Sequence, residues 1–245
     1  MGSISIRKHI RWLPDEASEP TSTIVITSPG RRFVDLRILL PEGHQGPWTG
    51  QDDPLPLSRL DWAIAGISTS TKRPDPSGAL TSYSTFDHWI SSRSLTPELF
   101  PDAGFMYPQP NSLTLEKGSM INPATNVDTA YEELWHDATP SAVPGEDGVR
   151  ALALQVHDDE KGMRGSVVRL GRHAQGLLRV GDGVSLERWE WKDGWKRTVR
   201  IGDEELPCEK TLGEENLSEG DVVDVAGRSW KVVESSGKGN ATPRL

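Results

Sequence analysis

Glu187-Arg188-Trp189-Glu190-Trp191-Lys192-Asp193-Gly194-Trp195-Lys196-Arg197 carries the densest structural signal in this 245-residue chain. Asp-Gly between two alternating runs predicts a two-residue β-hairpin turn, because both central positions of such a turn take φ > 0. With the turn at Asp193-Gly194, Lys192 faces Trp195, Trp191 faces Lys196 and Glu190 faces Arg197. Trp189, Trp191, Lys196 and Thr198 then share one sheet face. An aromatic wall of this kind either seals a core or lines a cavity, and function turns on which.

Strand signals continue in both directions. Thr23 to Thr27 leads through the turn Ser28-Pro29-Gly30 into Arg32 to Leu40. There Val34, Leu36, Ile38 and Leu40 lie on one face and Asp35 and Arg37 on the other. Leu60 to Ser68 reads as an apolar strand closed by a polar loop from Ser70 to Gly78. Tyr83 to Ser91 is a further strand, carrying Phe86, His88 and Trp89. The Pro- and Gly-rich stretch 96–125 reads as long loops or a short strand pair, and Ala130 to His136 as a strand end. Asp137 to Gly148, with Pro140, Pro144, Gly145 and Gly148, is the best linker. Beyond it, strands fall at Arg150 to His157, Gly165 to His173, Asp221 to Val225 and Arg228 to Glu234. Many short strands with little helix predict an all-β protein of two antiparallel barrel units, 1–140 and a smaller 149–245.

Composition narrows the function classes. Charged residues make up 26% and hydrophobic ones 35%, a globular balance. A net charge of −9 argues against non-specific nucleic-acid or anionic-membrane binding, both of which need a basic face. The single cysteine, Cys208, excludes an internal disulfide framework, fits a reducing compartment and reads as a partly exposed thiol near a strand end. No stretch approaches the ~18 apolar residues of a membrane span, and Met1 to His9 lacks a secretory apolar core. Met1-Gly2 is not followed by the Ser or Thr that myristoylation wants, since Arg7 follows Ile6. A cytoplasmic location is expected, and Asn216-Leu-Ser and Asn240-Ala-Thr then match the glycosylation pattern by chance.

Three further strings resemble a fungal cytosolic family. They are Leu60-Asp-Trp-Ala-Ile-Ala-Gly66, Ile121-Asn-Pro-Ala with Tyr131-Glu-Glu-Leu-Trp135, and Val168-Arg-Leu-Gly-Arg-His-Ala-Gln-Gly-Leu177-Leu178. With the closing Gly220-Asp-Val and Gly227-Arg-Ser-Trp-Lys-Val-Val-Glu, their order is similar to that of the HRI-type family, named for a yeast member that interacts with a casein kinase I homologue. The resemblance implies two calycin-like, lipocalin-related barrels and offers no catalytic motif. The lipocalin Gly-x-Trp signature occurs as Gly46-Pro-Trp48, where a proline inside a first strand is awkward. Proteins that look like this also occur in fungal secondary metabolism, where hetero-Diels–Alder cyclisation has been assigned to cofactor-free barrel proteins.

Candidate chemistry competes with plainer roles. The six histidines lack His-x-His or Cys-pair spacing, and Glu132 and His136 stand four apart only on a doubtful helix. No nucleophile elbow or phosphate-cradling glycine loop occurs, and no cofactor is expected. A small barrel can instead hold one ligand. The residues expected inside the first barrel are Arg37, Trp62, Tyr83, His88, Trp89 and Trp135. His88, Arg37 and Tyr83 are the expected catalytic groups, and Trp62, Trp89 and Trp135 the expected ligand-binding walls. Arg or His could hydrogen-bond a carbonyl or hydroxyl while indoles shape a reactive conformer. The plainer reading makes Trp62 and Trp89 core fillers and Asp35 and Arg37 an exposed pair worth little. The acidic clusters Asp158-Asp-Glu160 and Glu214-Glu215 could attract basic partners, but charge runs are usually solvated loops.

The sequence therefore predicts a barrel that binds an apolar small molecule, or acts on it as a cofactor-free hetero-Diels–Alder or dehydrative cyclase. The alternative is a non-catalytic adaptor for a protein partner such as a casein kinase. The Trp hairpin falls past the linker, where it suits a structural wall, so the functional weight moves to Trp62, His88 and Trp89.

Overall fold

The computed structural model describes residues 1–44, 50, 54–213 and 216–236. The motif Gly46-Pro-Trp48, the acidic pair Glu214-Glu215 and Asn240-Ala-Thr lie outside the described residues. The first half forms eight strands: β1 (Ser3–Trp12), β2 (Thr21–Thr27), β3 (Arg32–Leu39), β4 (Leu60–Pro74), β5 (Leu80–Ser91), β6 (Asp102–Gln109), β7 (Leu113–Asn122) and β8 (Val127–Ala138). Each pairs with the next, and β8 returns to β1, from Ile4 opposite Ala138 to Trp12 opposite Tyr131, closing an up-and-down barrel. Closure removes the exposed edges that an open eight-stranded sheet would carry.

Two segments are more regular than expected. Ser70 to Pro74 continues β4 rather than forming a loop, with Ser70 opposite Ser84 and Thr71 opposite Tyr83. Serine and threonine alternate there because one face lines a hydroxyl-rich lumen. The Pro- and Gly-rich stretch 96–125 holds the complete β6–β7 pair, with Phe105 opposite Lys117.

The second half forms β9 (Ala151–Asp158), β10 (Met163–Leu170), β11 (His173–Val180), β12 (Gly183–Trp191), β13 (Trp195–Ile201), β14 (Val222–Val225) and β15 (Arg228–Ser236), with one short helix, α1 (Cys208–Leu212). The all-β expectation with little helix holds. In place of a second closed barrel these strands make a seven-stranded antiparallel sheet, β13-β12-β11-β10-β9-β15-β14, whose end strands do not pair with each other among the described residues.

The sheet remains open because both its faces have other cover. Ala151, Ala153, Val168, Leu170, Leu177, Leu186, Val199 and Ile201 pack against the outer wall of the barrel, where Ile24, Ile26, Val34, Leu36 and Ile38 meet them in one core. On the opposite face Leu152, Leu154, Val167, Leu178, Trp230 and Val232 pack with Leu206 and Cys208 beside α1. Cys208 is therefore fully buried rather than partly exposed, and burial pushes its thiol well above the usual range.

The apolar faces of β2 and β3 thus point out of the barrel, toward the sheet, and their polar faces point in. Two polar side chains fasten this interface. Gln175 donates to the Ile24 and Val34 carbonyls at 3.0 and 2.8 Å. Arg188 donates to the Leu36 carbonyl (2.7 Å), to Ser22 Oγ and O (2.9 and 3.2 Å) and to Gln175 Oε1 (2.7 Å). With burial opposing its charge, the Arg188 pKa falls to about 10. Buried polar groups survive in a core when every donor finds an acceptor.

The hairpin forms with a different register. Its loop has three residues, Lys192 to Gly194, so Trp191 faces Trp195, Glu190 faces Lys196 and Trp189 faces Arg197, and a bulge leaves Thr198 unpaired. Asp193 takes the left-handed conformation, φ 57°. The extra loop residue sets the Trp191 and Trp195 rings edge to face at 5.7 Å, a favoured aromatic geometry. Trp189 packs on the core beneath α1. Trp191 and Trp195 line a pocket of about 390 Å³ with Glu146, Arg150 and Leu212.

Candidate functional site

Strand alternation puts residues 3, 5 and 7 of β1, 33, 35 and 37 of β3, and 131, 133, 135 and 137 of β8 on the lumen face. The barrel encloses a cavity of about 280 Å³, near the lower end of the roughly 300–1,000 Å³ usual for ligand sites. Its lining is graded along the axis. Serine hydroxyls dominate the mouth, where Ser3 and Ser70 are exposed, and Phe33, Phe86 and Trp135 form aromatic walls. Asp35, Arg37, Glu116 and Glu133 form a buried charged floor.

The floor is a hydrogen-bonded network. Glu133 Oε1 accepts from Arg7 Nη1 at 2.6 Å and from Arg37 Nη1 at 3.4 Å. Arg37 Nε donates to Asp35 Oδ2 at 2.9 Å, and Arg7 reaches Glu19 and Thr21 behind the floor at 2.8 and 2.9 Å. Burial opposes the Arg37 charge, but Asp35, Glu133 and Asp102 outweigh it and hold its pKa above the usual guanidinium value. Asp35 Oδ1 has no partner among the described residues, although Asp35 is only 3% exposed.

Glu116 lies across the lumen from that pair. The Tyr131 hydroxyl donates to Oε1 and the Trp135 indole N–H to Oε2, each at 3.0 Å. Burial pushes the Glu116 carboxyl up to about 8; the charges of Glu133 and Asp102 push the same way, against the Tyr131 hydrogen bond and Arg37. Burial and then Glu116 raise the Tyr131 phenol well above its ordinary value. A carboxylic acid neutral near pH 7 beside an ionised network is the pattern of a group able to give a proton.

Of the six expected site residues, the structure brings four together. Arg37 and Trp135 line the cavity. His88 lies just beneath, its Nε2 3.2 Å from Asp102 Oδ2 and its ring edge-on to Trp62 at 5.7 Å. Trp62 plugs that end of the barrel between the guanidiniums of Arg37 and Arg93, at 5.0 and 4.6 Å, and does not line the cavity.

Tyr83 and Trp89 point the other way, being odd-numbered on a strand whose lumen face is Ser82, Ser84, Phe86 and His88. Tyr83 meets Phe105 edge to face outside, at 4.9 Å. Trp89 packs on the core shared with the second sheet.

Sequence reasoning passed over Glu116, Glu133, Asp102 and Arg7, and it left Asp35 as an alternative exposed pair with Arg37. The available signal was the spacing Tyr131-x-Glu133-x-Trp135, which puts a carboxylate on the same strand face as two aromatics. Among the described residues no group of three or more His, Cys, Asp or Glu is arranged to hold a metal, and no helix is long and apolar enough to cross a membrane.

Known proteins share this architecture. A crystal structure of an uncharacterized Saccharomyces cerevisiae protein matches with a TM-score of 0.73 at 20% identity, covering 97% of this chain and 100% of that one; at that identity the likeness shows the fold. Protein HRI1 of Vanderwaltozyma polyspora is 25% identical over 249 residues, 94% of this chain and 98% of the relative. The sequence model of the protein HRI1 family matches residues 3–234, and the chain belongs to that family.

Proposed function

We propose that the first barrel is a receptor for one small organic molecule, which enters past the serine-lined mouth and hydrogen-bonds to the charged floor. The observation that carries this reading is the graded cavity of about 280 Å³, running from serine hydroxyls to the buried floor of Asp35, Arg37, Glu116 and Glu133. A barrel built only to be stable would fill such a volume with side chains, since interiors pack to crystal density. The lining favours an amphipathic ligand over the purely apolar one expected from the sequence. Ligand-observed NMR with a fragment library tests the reading. Binding should be lost in Ser84→Trp and in Ser82→Trp, each of which fills the lumen from one strand. Hits that bind both filled variants as well as the parent would overturn it.

Glu116 favours a second reading, a cofactor-free dehydrative cyclase. Protonated Glu116 would give its proton to a departing hydroxyl, water would leave, and the ring-closing hydroxyl would return a proton to the Glu116 carboxylate. Substrate and product then differ by one water and the protein is unchanged. Arg37 would act from the floor by orienting a carbonyl, while Trp135 shapes the conformer. Incubation with a turned-over hit should yield a product lighter by one water, and Glu116→Gln should abolish it. Full turnover by Glu116→Gln would remove this reading and leave the receptor intact. A protein-binding role, with a casein kinase as partner, is the alternative implied by the family resemblance and gains if the lumen takes no ligand.

A further inference from the structure

The cavity presents charge of both signs at each end. At the floor, Arg37 uses Nε and Nη1 on Asp35 and Glu133, and its Nη2 has no hydrogen-bond partner among the described residues. Asp102, also in the lining, spends Oδ2 on His88 and has no partner for Oδ1 among the described residues. At the mouth, Arg31 and Asp137 are both exposed. An entering cation therefore meets Arg31 and Arg37, and an entering anion meets Asp137 and Asp102. An ion gives up hydration on entry and needs an unopposed counter-charge in return. Neither end supplies one.

Between the charges the wall is built of hydroxyls. Ser3 from β1, Thr27 from β2, Ser68 from β4 and Ser82 from β5 line the cavity, and their side-chain oxygens have no partner among the described residues. Ser70 and Ser84 hydrogen-bond to each other at 3.0 Å, and Ser5 and Thr114 donate to Asp137 at 3.0 and 2.7 Å. Each hydroxyl offers one donor and two acceptor lone pairs. A surface of this kind holds water well, so a ligand gains by entering only when it reproduces the two-way hydrogen bonds of the water it displaces. Ligand hydroxyls do so, because the same group donates to a carboxylate and accepts from a guanidinium. Phe86 and Trp135 leave apolar surface between the hydroxyls, which the C–H faces of a ring can cover. A cavity of about 280 Å³ has room for one such ring.

Resting on the receptor reading above, we propose that the barrel cavity takes a neutral cyclic polyol, a single sugar ring. Its hydroxyls donate to Asp102 Oδ1, accept from Arg37 Nη2 and exchange hydrogen bonds with Ser68 and Ser82, while its C–H faces lie on Phe86 and Trp135.

Glucose, galactose and mannose, each compared with its 2-amino sugar and its uronate, separate the cases by saturation-transfer NMR and calorimetry at pH 6, where the amine is protonated. At least one neutral sugar should bind. Its amino and uronate analogues should bind at least about tenfold more weakly, since each puts a charge of one sign where the neutral sugar has a hydroxyl. Tetrahydropyran-2-methanol, the same ring without ring hydroxyls, should not bind. Ser68→Ala and Ser82→Ala should each weaken the sugar about threefold, and the double variant about tenfold. Because those oxygens have no partner in the fold, the variants should melt with the parent protein. An amino sugar, a uronate or tetrahydropyran-2-methanol binding as tightly as the neutral sugar, with binding lost in Ser84→Trp, overturns the polyol assignment and keeps the receptor. Sugar binding unchanged in the double alanine variant, or surviving in Ser84→Trp, overturns the assignment as well. If no sugar binds, the polyol assignment falls and the fragment screen alone decides the receptor.

Discussion

Glu116 and Glu133 occupy directly opposed positions on β7 and β8, yet they are served by opposite kinds of partner. Glu133 takes the Arg7 and Arg37 guanidiniums, while Glu116 takes the neutral donors Tyr131 and Trp135. Like charges opposite each other in a ladder are unfavourable. One neutral and one ionised carboxyl resolve the conflict, and the distribution of donors decides which is which.

This asymmetry sets a pH dependence of stability. The unfolded chain loses the Glu116 proton near the ordinary value of 4.5, and the folded chain near about 8. Between those values the folded state binds a proton that the unfolded state lacks, so rising pH removes stability, by up to about 1.4 kcal/mol per pH unit. Below 4.5 both states are protonated, so the slope vanishes and the contribution is fully present. Urea denaturation from pH 5 to pH 8.5 should show the decline. Glu116→Gln keeps an acceptor for Trp135 and a donor toward Tyr131, so its curve should be flatter and its stability at pH 8 higher than the parent's. An equal slope in both proteins would refute the assignment.

Glu133→Ala should be among the most destabilising single changes in the chain. It leaves Arg7 and Arg37, both buried, without their shared acceptor, and breaking a buried pair from one side costs about 3–5 kcal/mol. Glu132→Ala, one residue away, only breaks partly exposed pairs with Arg11 and Lys117 and should cost less than about 1 kcal/mol. Chemical denaturation of the two variants side by side checks the contrast.

Arg188→Lys should behave nearly as badly as Arg188→Met. The planar fork of Arg188 serves the Leu36 carbonyl, Ser22 and Gln175 at once, a geometry one ammonium cannot reproduce. Each lost partner leaves a buried acceptor unpaired, at about 1–3 kcal/mol. Hydrogen exchange should show faster opening of β2, β3 and β11 in either variant. Protection at parental levels would mean that apolar packing alone holds the barrel to the sheet.

Cys208 should resist thiol reagents in the native protein. It is completely buried beside Leu206 under the second sheet, and its raised pKa suppresses the thiolate that reacts. Labelling by a disulfide reagent should follow the rate of opening rather than reagent concentration. Rapid stoichiometric labelling would contradict this placement.

Period-2 alternation alone made the strands legible, from Val34, Leu36 and Ile38 on one face of β3 to Asp35 and Arg37 on the other. The turn chemistry of Asp193-Gly194 marked a hairpin, though its register slipped by one residue because the loop took in Lys192. Alternation defines two faces without naming them, so the sequence separated Asp35 and Arg37 from their apolar neighbours but left open which set met solvent. It misassigned Tyr83 and Trp89 for the same reason, since each stands one residue from a lumen position.

Tertiary structure decided the rest. Pairing of Ile4 with Ala138 closes the barrel across almost the whole first half, a long-range contact with no local signature. Packing of the second sheet on the outer wall draws Val34 and Leu36 outward and so makes the polar face the lumen. Closure buries Glu116 opposite Glu133 and gives it the neutral donors Tyr131 and Trp135, and burial beside a like charge is why its carboxyl is pushed up. The sequence determined an all-β chain with a Trp-rich hairpin and two faces to every strand. Burial, which depends on the whole fold, determined which of those faces carries the charge.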